Sequence, residues 1–352
     1  MLDLNCLTAS ISGGDPAVYQ AATNRWNGLA KPLGSLGSLE TAVARIAALT
    51  GTTDVSLDHR TLFVFCSDNG VVAQGVSQSD ASVTEAVALA LGERRSTVNY
   101  MAASFSCPVI PVDIGMSCEK TPPGVLDRRV RDGTEDMTHG PAMERVDCLR
   151  AMEAGFNLAS EAAKQGADLL LAGEMGIGNT TTSAAVLSVL LDRPPDTLIG
   201  RGAGLSDAGL NRKTEAVRAS IAINAPDPDD PVDVLTKVGG LDLAALCGFY
   251  LGAACCRRPV LLDGLITYAA ALCAVRLCPR AGDALLASHC SAEPASHLAL
   301  GALGLTPLIS AGLRLGEGSG AVAALPLLDM ALRVYHSGNR FASIGIEPYK
   351  PL

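Results

Sequence analysis

A short apolar run that ends in acidic residues or glycine recurs along this chain, and it constrains the fold more than any other feature. The runs lie at 61–66, 109–112, 167–172 and 259–262, and they lead into Asp68, Asp113, Glu174 and Asp263 respectively. Ala- and Leu-rich stretches of helical length, such as 147–165, 182–191 and 240–255, lie between them. Strands that alternate with helices predict an α/β protein with a parallel sheet. Ligands bind such sheets at the carboxyl ends of the strands, where these polar residues fall.

Both ends of the chain carry helical patterns. Residues 16–50 read as helices broken by a Gly/Pro loop at 31–37, and residues 321–336 read as one further helix. The two segments are distant in sequence, but they can pack together in the folded chain.

The net charge, the apolar stretches and the cysteines limit which partners and which cellular compartment we expect for this chain. The formal net charge is −9 and no Lys/Arg-rich run occurs, so neither nucleic acid nor a membrane surface is expected as a partner. The longest apolar stretch, 243–256, is too short to span a bilayer. The 11 cysteines include no CxxC pair, which indicates reduced thiols and predicts a cytoplasmic protein.

Two glycine-rich loops are suited to an anion. The first, 173–182, follows a predicted strand and opens a helix, whose N-terminal N–H groups favour negative charge. It lacks the third glycine of a dinucleotide fingerprint, since Thr181 stands there, and it lacks the Gly-Lys-Ser/Thr of a Walker A loop. The alternative is a tight strand–helix turn capped by Asn or Thr. In the second loop, 200–207, Gly202 and Gly204 could form an anion nest, with Lys213 supplying the charge.

Glu317 is the strongest candidate for a general base. It lies between Gly316 and Gly318 and between two apolar segments, a setting that can raise the pKa of a carboxyl group. The alternative is an N-cap or turn acid, which could in addition pair with Arg314.

A metal site is not expected from the histidine pattern. His289, Glu293 and His297 are spaced by four, so they would share one face of a helix. Pro294 argues against an unbroken helix there, and the chain has only 5 His.

Six motifs, in order along the chain, carry a resemblance to a known family. They are Lys31-Pro-Leu-Gly-Ser-Leu-Gly-Ser-Leu-Glu40, Asp68-Asn-Gly-Val71, Gly173-Glu-Met-Gly-Ile-Gly-Asn-Thr-Thr181, Lys237-Val-Gly-Gly240, Pro259-Val-Leu-Leu-Asp-Gly264 and Arg314-Leu-Gly-Glu-Gly-Ser-Gly320. The chain resembles the nicotinate-nucleotide–dimethylbenzimidazole phosphoribosyltransferases. The resemblance implies transfer of the 5-phosphoribosyl group from nicotinate mononucleotide to 5,6-dimethylbenzimidazole, giving α-ribazole 5′-phosphate and nicotinate for the nucleotide loop of cobalamin.

The resemblance also implies an architecture. It implies a homodimer that uses no cofactor, with a Rossmann-like parallel sheet flanked by helices. The large α/β domain with the active site would span 55–310. A smaller helical domain would combine 1–54 with 311–352.

The resemblance assigns roles to individual residues. Glu317 would be the base that takes a proton from the acceptor, and Glu174 a second, supporting carboxylate. Around the phosphate and ribose of the nucleotide it implies Gly176, Gly178, Gly202, Gly204 and Lys213, with Asn179 as a further substrate-binding residue. Near the acceptor base it implies Ser79, Met175 and Leu315.

Three positions depart from the usual family pattern, and alternatives stay open for this reason. Asn69 stands where the family usually has His, Val87 lies where a Gln is common, and Ala295 lies where a Gly is usual. The acceptor could therefore be another benzimidazole, adenine or a phenol. A catalytically silent paralogue that binds a base is a further alternative, and a dinucleotide-dependent oxidoreductase a more distant one.

Overall fold

The structure is a computed structural model that describes residues 3–202, 204–347 and 349. Its centre is one sheet of six parallel strands in the order β3-β2-β1-β4-β5-β6. The strands are β1 (Arg60–Ser67), β2 (Val109–Gly115), β3 (Leu126–Asp127), β4 (Leu169–Met175), β5 (Val260–Leu262) and β6 (Leu285–Ala287). The prediction of an α/β fold on a parallel sheet is confirmed.

Helices cover both faces of this sheet. They are α1 (Leu4–Ser10), α2 (Pro16–Asn27), α3 (Ser38–Thr50), α4 (Ser82–Gly92), α5 (Thr97–Ala103), α6 (Arg145–Lys164), α7 (Asn179–Leu190), α8 (Asp207–Asn224), α9 (Pro231–Val238), α10 (Leu241–Cys255), α11 (Leu265–Leu277), α12 (Ser296–Leu303), α13 (Ser319–Ser337) and α14 (Phe341–Ile344). Short 3-10 helices lie at Gly70–Gln74, Pro195–Thr197 and Pro279–Ala284. None of these helices is long and apolar enough to cross a membrane.

The predicted strands are all present, and two strands were missed. β1 and β4 are buried along almost their whole length, which is why they read as continuous apolar runs. β3 has two residues and β6 has three, and segments this short carry no usable periodicity.

One face of the sheet is covered by α6, α7, α10 and α11. α10 packs directly on α6. The approach is so close that a Cβ on Gly248 would stand only 1.9 Å from the carbonyl oxygen of Met152. Glycine therefore lets the two helix backbones touch. α10 is buried on all sides and Asp242 is its only charged residue.

The other face carries helices from both ends of the chain. Trp26 of α2 and Tyr335 of α13 lie with their ring centroids 4.9 Å apart, so the two ends do pack together. They belong to one apolar cluster with Leu62 of β1 and Leu171 of β4. The division into 55–310 and 1–54 plus 311–352 stays a prediction, since this cluster continues from the terminal helices into the sheet.

Candidate functional site

A cleft of about 310 Å³ opens at the carboxyl ends of the strands. Glu174 and Met175 at the end of β4, Asp263 after β5 and His289 after β6 all line it. The rest of its wall comes from the two glycine-rich loops, the start of α4, and the segment before α13.

The predicted site residues come together here. Those that line the cleft are Ser79, Glu174, Met175, Gly176, Gly178, Asn179, Gly202, Gly204, Leu315 and Glu317. Lys213 lies behind the wall and is fully buried. Its Nζ donates to Thr180 Oγ1 at 2.8 Å and to the carbonyl oxygen of Gly200 at 3.1 Å, so it ties the two loops to each other. Burial lowers the pKa of Lys213 to about 8.

The first glycine-rich loop joins β4 to α7 without a side-chain cap. Gly178 is the N-cap of α7, with φ of 93°, and no side chain caps this helix. The alternative of a turn capped by Asn or Thr is therefore wrong. The side chain of Asn179 is used elsewhere: its Nδ2 donates to Glu174 Oε2 and, at 3.1 Å, to Asp242 Oδ2.

Glu174 and Asp242 are thus two buried carboxyl groups that share one amide. Burial, and next the negative charge of Asp242, raise the pKa of Glu174 to about 8. Burial raises the pKa of Asp242 to about 6. At neutral pH the pair therefore retains a proton, and it resides mainly on Glu174.

Glu317 is buried and held in an unusual backbone conformation. Its φ is 59°, and the flanking Gly316 and Gly318 have φ of 88° and 84°, so three successive residues are left-handed. For a residue with a Cβ this conformation costs free energy, and such residues cluster at functional sites. The segment crosses directly over β4: a Cβ on Gly173 would stand 2.6 Å from the carbonyl carbon of Glu317.

The carboxyl group of Glu317 is suited to accept a proton. Its Oε2 is buried and has no hydrogen-bond partner among the described residues. Burial raises the pKa of Glu317, while hydrogen bonds from Ser96 and Val98 oppose the rise. Gly318, not Glu317, is the N-cap of α13, and no ion pair to Arg314 occurs in the described part of the chain. The alternatives of an N-cap and of a partner for Arg314 are therefore wrong, whereas Glu317 does lie in a turn.

Asp263 holds the start of α13 in place. Its Oδ2 accepts the N–H of Gly318 at 3.0 Å, and its Oδ1 accepts the N–H of Gly320 at 2.7 Å. His289 Nε2 lies 3.5 Å from Asp263 Oδ1. The backbone on the C-terminal side of Glu317 is therefore fixed by a carboxylate from the end of a strand.

The anion nest predicted for the second loop is not formed. The N–H of Gly202 donates to Glu293 Oε1 at 3.1 Å, and the N–H of Gly204 donates to the carbonyl oxygen of Arg201 at 3.0 Å. Both donors are therefore used within the protein, and the prediction of a nest at Gly202 and Gly204 is wrong for this conformation.

The wall beneath Ser79, Met175 and Leu315 is apolar. Val83 and Val87, one turn apart on α4, line the cleft beside these residues. A planar aromatic ring can bury its faces against apolar side chains such as these.

The structure rejects the helical metal motif. α12 begins at Ser296, so His297 lies on this helix while His289 and Glu293 precede it. Across residues 3–202, 204–347 and 349, no three His, Cys, Asp or Glu side chains are grouped to hold a metal ion.

Several residues in or behind the cleft wall were not predicted as site residues, among them Arg201 and Asp242, and others were undervalued. For Asp242 the usable signal is a lone carboxylate in the first turn of an apolar helix, two residues after Gly240. Asp263, His289 and Glu293 were noticed in their motifs but not assigned to the site. Arg314 was considered only as a partner of Glu317, yet it lines the cleft.

The family pattern and the similar sequences that match this chain are all described as phosphoribosyltransferases. The sequence pattern of a family described as phosphoribosyltransferase matches residues 11–346. The nicotinate-nucleotide–dimethylbenzimidazole phosphoribosyltransferase of Acetivibrio thermocellus is 42% identical over 93% of this chain and 93% of that protein. The protein of the same name from Clostridium acetobutylicum is 39% identical over 100% of both chains.

Solved structures agree with the sequences. The crystal structure of the Thermus thermophilus protein of this name has a TM-score of 0.88 and 40% identity, and the match covers 95% of this chain and 99% of that one. The structure described as CobT from the same organism has a TM-score of 0.89 at 40% identity, and the match covers 95% of this chain and 100% of that one. The chain belongs to the family of nicotinate-nucleotide–dimethylbenzimidazole phosphoribosyltransferases.

Proposed function

We propose that this chain transfers the 5-phosphoribosyl group from nicotinate mononucleotide to 5,6-dimethylbenzimidazole. The products are α-ribazole 5′-phosphate and nicotinate, and the former supplies the lower ligand of cobalamin. The observation that carries the proposal is the buried, unpartnered Oε2 of Glu317 at the base of a cleft that Glu174 and the two glycine-rich loops also line.

The proposed step balances without an acid on the leaving group. The C1′–N bond of the nucleotide breaks, and its electron pair returns to the pyridinium ring, so nicotinate leaves with a neutral ring nitrogen. One imidazole nitrogen of the acceptor bonds to C1′ from the opposite face, which converts the β-linkage to α. The other imidazole N–H then loses its proton to Glu317, and the product ring is neutral.

The charge of the cleft supports a cationic donor. Glu174, Asp263 and Glu317 line it, and Asp242 lies just behind Glu174. The ionised carboxyl groups among them, placed in advance, stabilise the positive charge that develops on the ribosyl carbon as the bond breaks. Glu174, which holds a proton at neutral pH, is available as a hydrogen-bond donor instead. The N-terminus of α7 and the ammonium group of Lys213 behind it are suited to the 5′-phosphate.

Within this proposal the predicted residues keep distinct roles. Glu317 is the base, and Glu174 is the supporting carboxyl group. The nucleotide is bound by Gly176, Gly178, Asn179, Gly202, Gly204 and Lys213. Because the N–H groups of Gly202 and Gly204 are in use within the protein, these two residues contact the nucleotide only after a rearrangement, or through other backbone atoms.

The apolar wall at Ser79, Met175 and Leu315 is proposed to bind the acceptor. The apolar side chains of Val83 and Val87, which line the cleft with Met175 and Leu315, support an acceptor with apolar substituents such as the methyl groups of dimethylbenzimidazole. The chain is further proposed to be a cytoplasmic homodimer; all eleven cysteines are free thiols, as a reducing compartment allows.

The test is product analysis by mass spectrometry. Purified protein is incubated with nicotinate mononucleotide and an equimolar mixture of dimethylbenzimidazole, benzimidazole, adenine and phenol. We expect α-ribazole 5′-phosphate with an equal amount of released nicotinate. Glu317→Gln should lower the rate by about 10²–10⁴-fold, the usual contribution of a positioned general base.

Each other outcome has a definite meaning. A phenolic or adenine product in preference to α-ribazole phosphate would overturn the choice of acceptor and keep the transfer reaction. Nucleotide binding without release of nicotinate, with every base tried, would mean a silent paralogue. The proposed dimer is tested separately, by measuring the molar mass of the purified protein by light scattering after size-exclusion chromatography.

A further inference from the structure

Asp242 is a buried carboxylate that the proposed reaction does not use. It is fully buried near the start of α10, a helix with no other charged residue. No cationic side chain pairs with it in the described part of the chain. A buried charge without a cation is costly, so a hydrophobic residue would serve the packing of α10 better.

The contacts of Asp242 hold it in one orientation. Its Oδ1 accepts the N–H of Leu243 at 2.9 Å, and its own N–H donates to Ser67 Oγ at 3.3 Å. Its Oδ2 accepts from Asn179 Nδ2 at 3.1 Å. The same Nδ2 donates its second hydrogen to Glu174 Oε2. Asp242 and Glu174, from different elements, are thus joined through one side-chain amide.

We propose that Asp242 is a positioning residue that acts through Asn179 to fix the Glu174 carboxyl group, with Oε2 held inside and Oε1 turned toward the cleft. A Cβ on Gly316 would stand 2.8 Å from Glu174 Oε1, so this oxygen lies at the segment that carries Glu317. The inference rests on the proposed function in one respect: Glu174 must support the transfer for its position to affect the rate.

The bridge formed by Asn179 between Asp242 and Glu174 also determines which oxygen of Glu174 binds a proton. Since Oε2 accepts a hydrogen from Asn179, a proton bound by Glu174 resides on Oε1 and is available for donation to a ligand. The negative charge of Asp242 favours this protonated form. Glu174 is thereby a hydrogen-bond donor at neutral pH, beside a second carboxyl group, Glu317, that serves as base.

Other titratable groups face Glu174 as well. Asp263, after β5, and Glu317, before α13, both raise the pKa of Glu174, though less than Asp242 does. The Cys66 thiol of β1 lies near Glu174 and Asp242, and burial raises its pKa, so it stays neutral. The Asp242 and Asn179 variants leave these other groups unchanged. A shift in the pKa of Glu174 in either variant is therefore caused by the loss of the substituted side-chain group.

Two substitutions test the bridge from its two ends, with opposite expected shifts. Asp242→Asn keeps the shape and removes the charge, so the pKa of Glu174 should fall. Asn179→Ala keeps the charge and removes a hydrogen bond that lowers this pKa, so the pKa of Glu174 should rise. We expect shifts of about one pH unit in each direction. We also expect kcat at the optimum to fall about tenfold in each variant, because Glu174 is no longer held.

The pH profile of kcat, measured with saturating nucleotide, is the functional readout, because it reports groups in the bound complex. The alkaline limb should move to lower pH in Asp242→Asn and to higher pH in Asn179→Ala. Asp113→Asn is the matched control: it removes a fully buried carboxylate that pairs with Arg129 outside the cleft. This control should leave the position of the limb unchanged.

A direct titration separates this inference from the proposed function. The Glu174 carboxyl signal is identified by 13C NMR of glutamate-labelled protein as the signal lost in Glu174→Gln. Its titration midpoint is then measured without any substrate in the parent and both variants. If the parent chain transferred nothing while the midpoints moved as expected, the function would fail and the bridge would stand.

A double-mutant cycle supplies the remaining outcome. In a Glu174→Gln background, Asp242→Asn should have no further effect on kcat, because its route to the reaction is gone. Unmoved midpoints in both variants, or an undiminished effect of Asp242→Asn in that background, would overturn the proposal. If Asp242→Asn did not fold, the titration of Asn179→Ala alone would decide between these results.

Discussion

At the scale of single residues, the burial of Glu317 predicts how activity depends on acid. A general base works only when ionised, and burial raises the pKa of this group above that of a solvated Glu. Activity should therefore be lost as pH falls through the raised pKa, at a higher pH than the ~4.3 of an exposed glutamate. The acid limb of kcat/KM measures this; a limb at or below that value would contradict the assignment.

Lys213 predicts the behaviour of nucleotide binding at high pH. Burial lowers its pKa to about 8, and only the ammonium form attracts a phosphate. The KM for nicotinate mononucleotide should therefore rise as pH increases through about 8. Lys213→Met keeps the buried aliphatic stem without the charge. It should raise KM at neutral pH and abolish this dependence; a pH-dependent KM in the variant would assign the effect to another group.

At the scale of elements, α13 owes its first turn to a carboxylate from a different element. Asp263 accepts the N–H groups of Gly318 and Gly320, and Asn at 263 could accept only one of them well. Leaving a buried donor unpaired costs about 1–3 kcal/mol, so Asp263→Asn should lower the free energy of unfolding by about that amount. Because Glu317 directly precedes Gly318, kcat should fall as well.

Urea unfolding and steady-state kinetics, measured on the same preparations, check this prediction. Asp168→Asn is the control, since Asp168 also accepts a backbone N–H, that of His59, at 3.1 Å, but far from the cleft. The control should lose stability and keep its kcat. If Asp263→Asn lowered the stability and left kcat unchanged, the two hydrogen bonds accepted by Asp263 would not determine the position of Glu317.

The sequence predicted elements better than it predicted contacts. Four strands were predictable, because buried parallel strands leave continuous apolar runs in the sequence and carry polar residues at or just after their ends; these are Asp68, Asp113, Glu174 and Asp263. The hydrogen bond that the N–H of Gly202 donates to Glu293 joins residues 91 positions apart, and no local pattern encodes it. The proposed role of Asp242 could not be predicted for the same reason, since it depends on a hydrogen bond from Asn179, which lies on another helix.

At the scale of the whole molecule, one apolar cluster crosses the boundary between the two expected domains. Trp26 and Tyr335 from the terminal helices belong to the same cluster as Leu62 and Leu171 in the sheet. Domains that unfold separately have separate cores. The terminal helices should therefore unfold together with the sheet, even if they are described as a domain of their own.

The single Trp of the chain makes this expectation measurable. Trp26 is 1% exposed, so its fluorescence reports the terminal helices, whereas circular dichroism reports all helices of the chain. The two signals should give coincident urea transitions. Leu328→Ala, which truncates a fully buried side chain of α13, should move both transitions together by about 2–5 kcal/mol. Tyr100→Ala, at a side chain that is 70% exposed, should move neither. A fluorescence transition that precedes the dichroism transition in Leu328→Ala would establish the terminal helices as an independent unit.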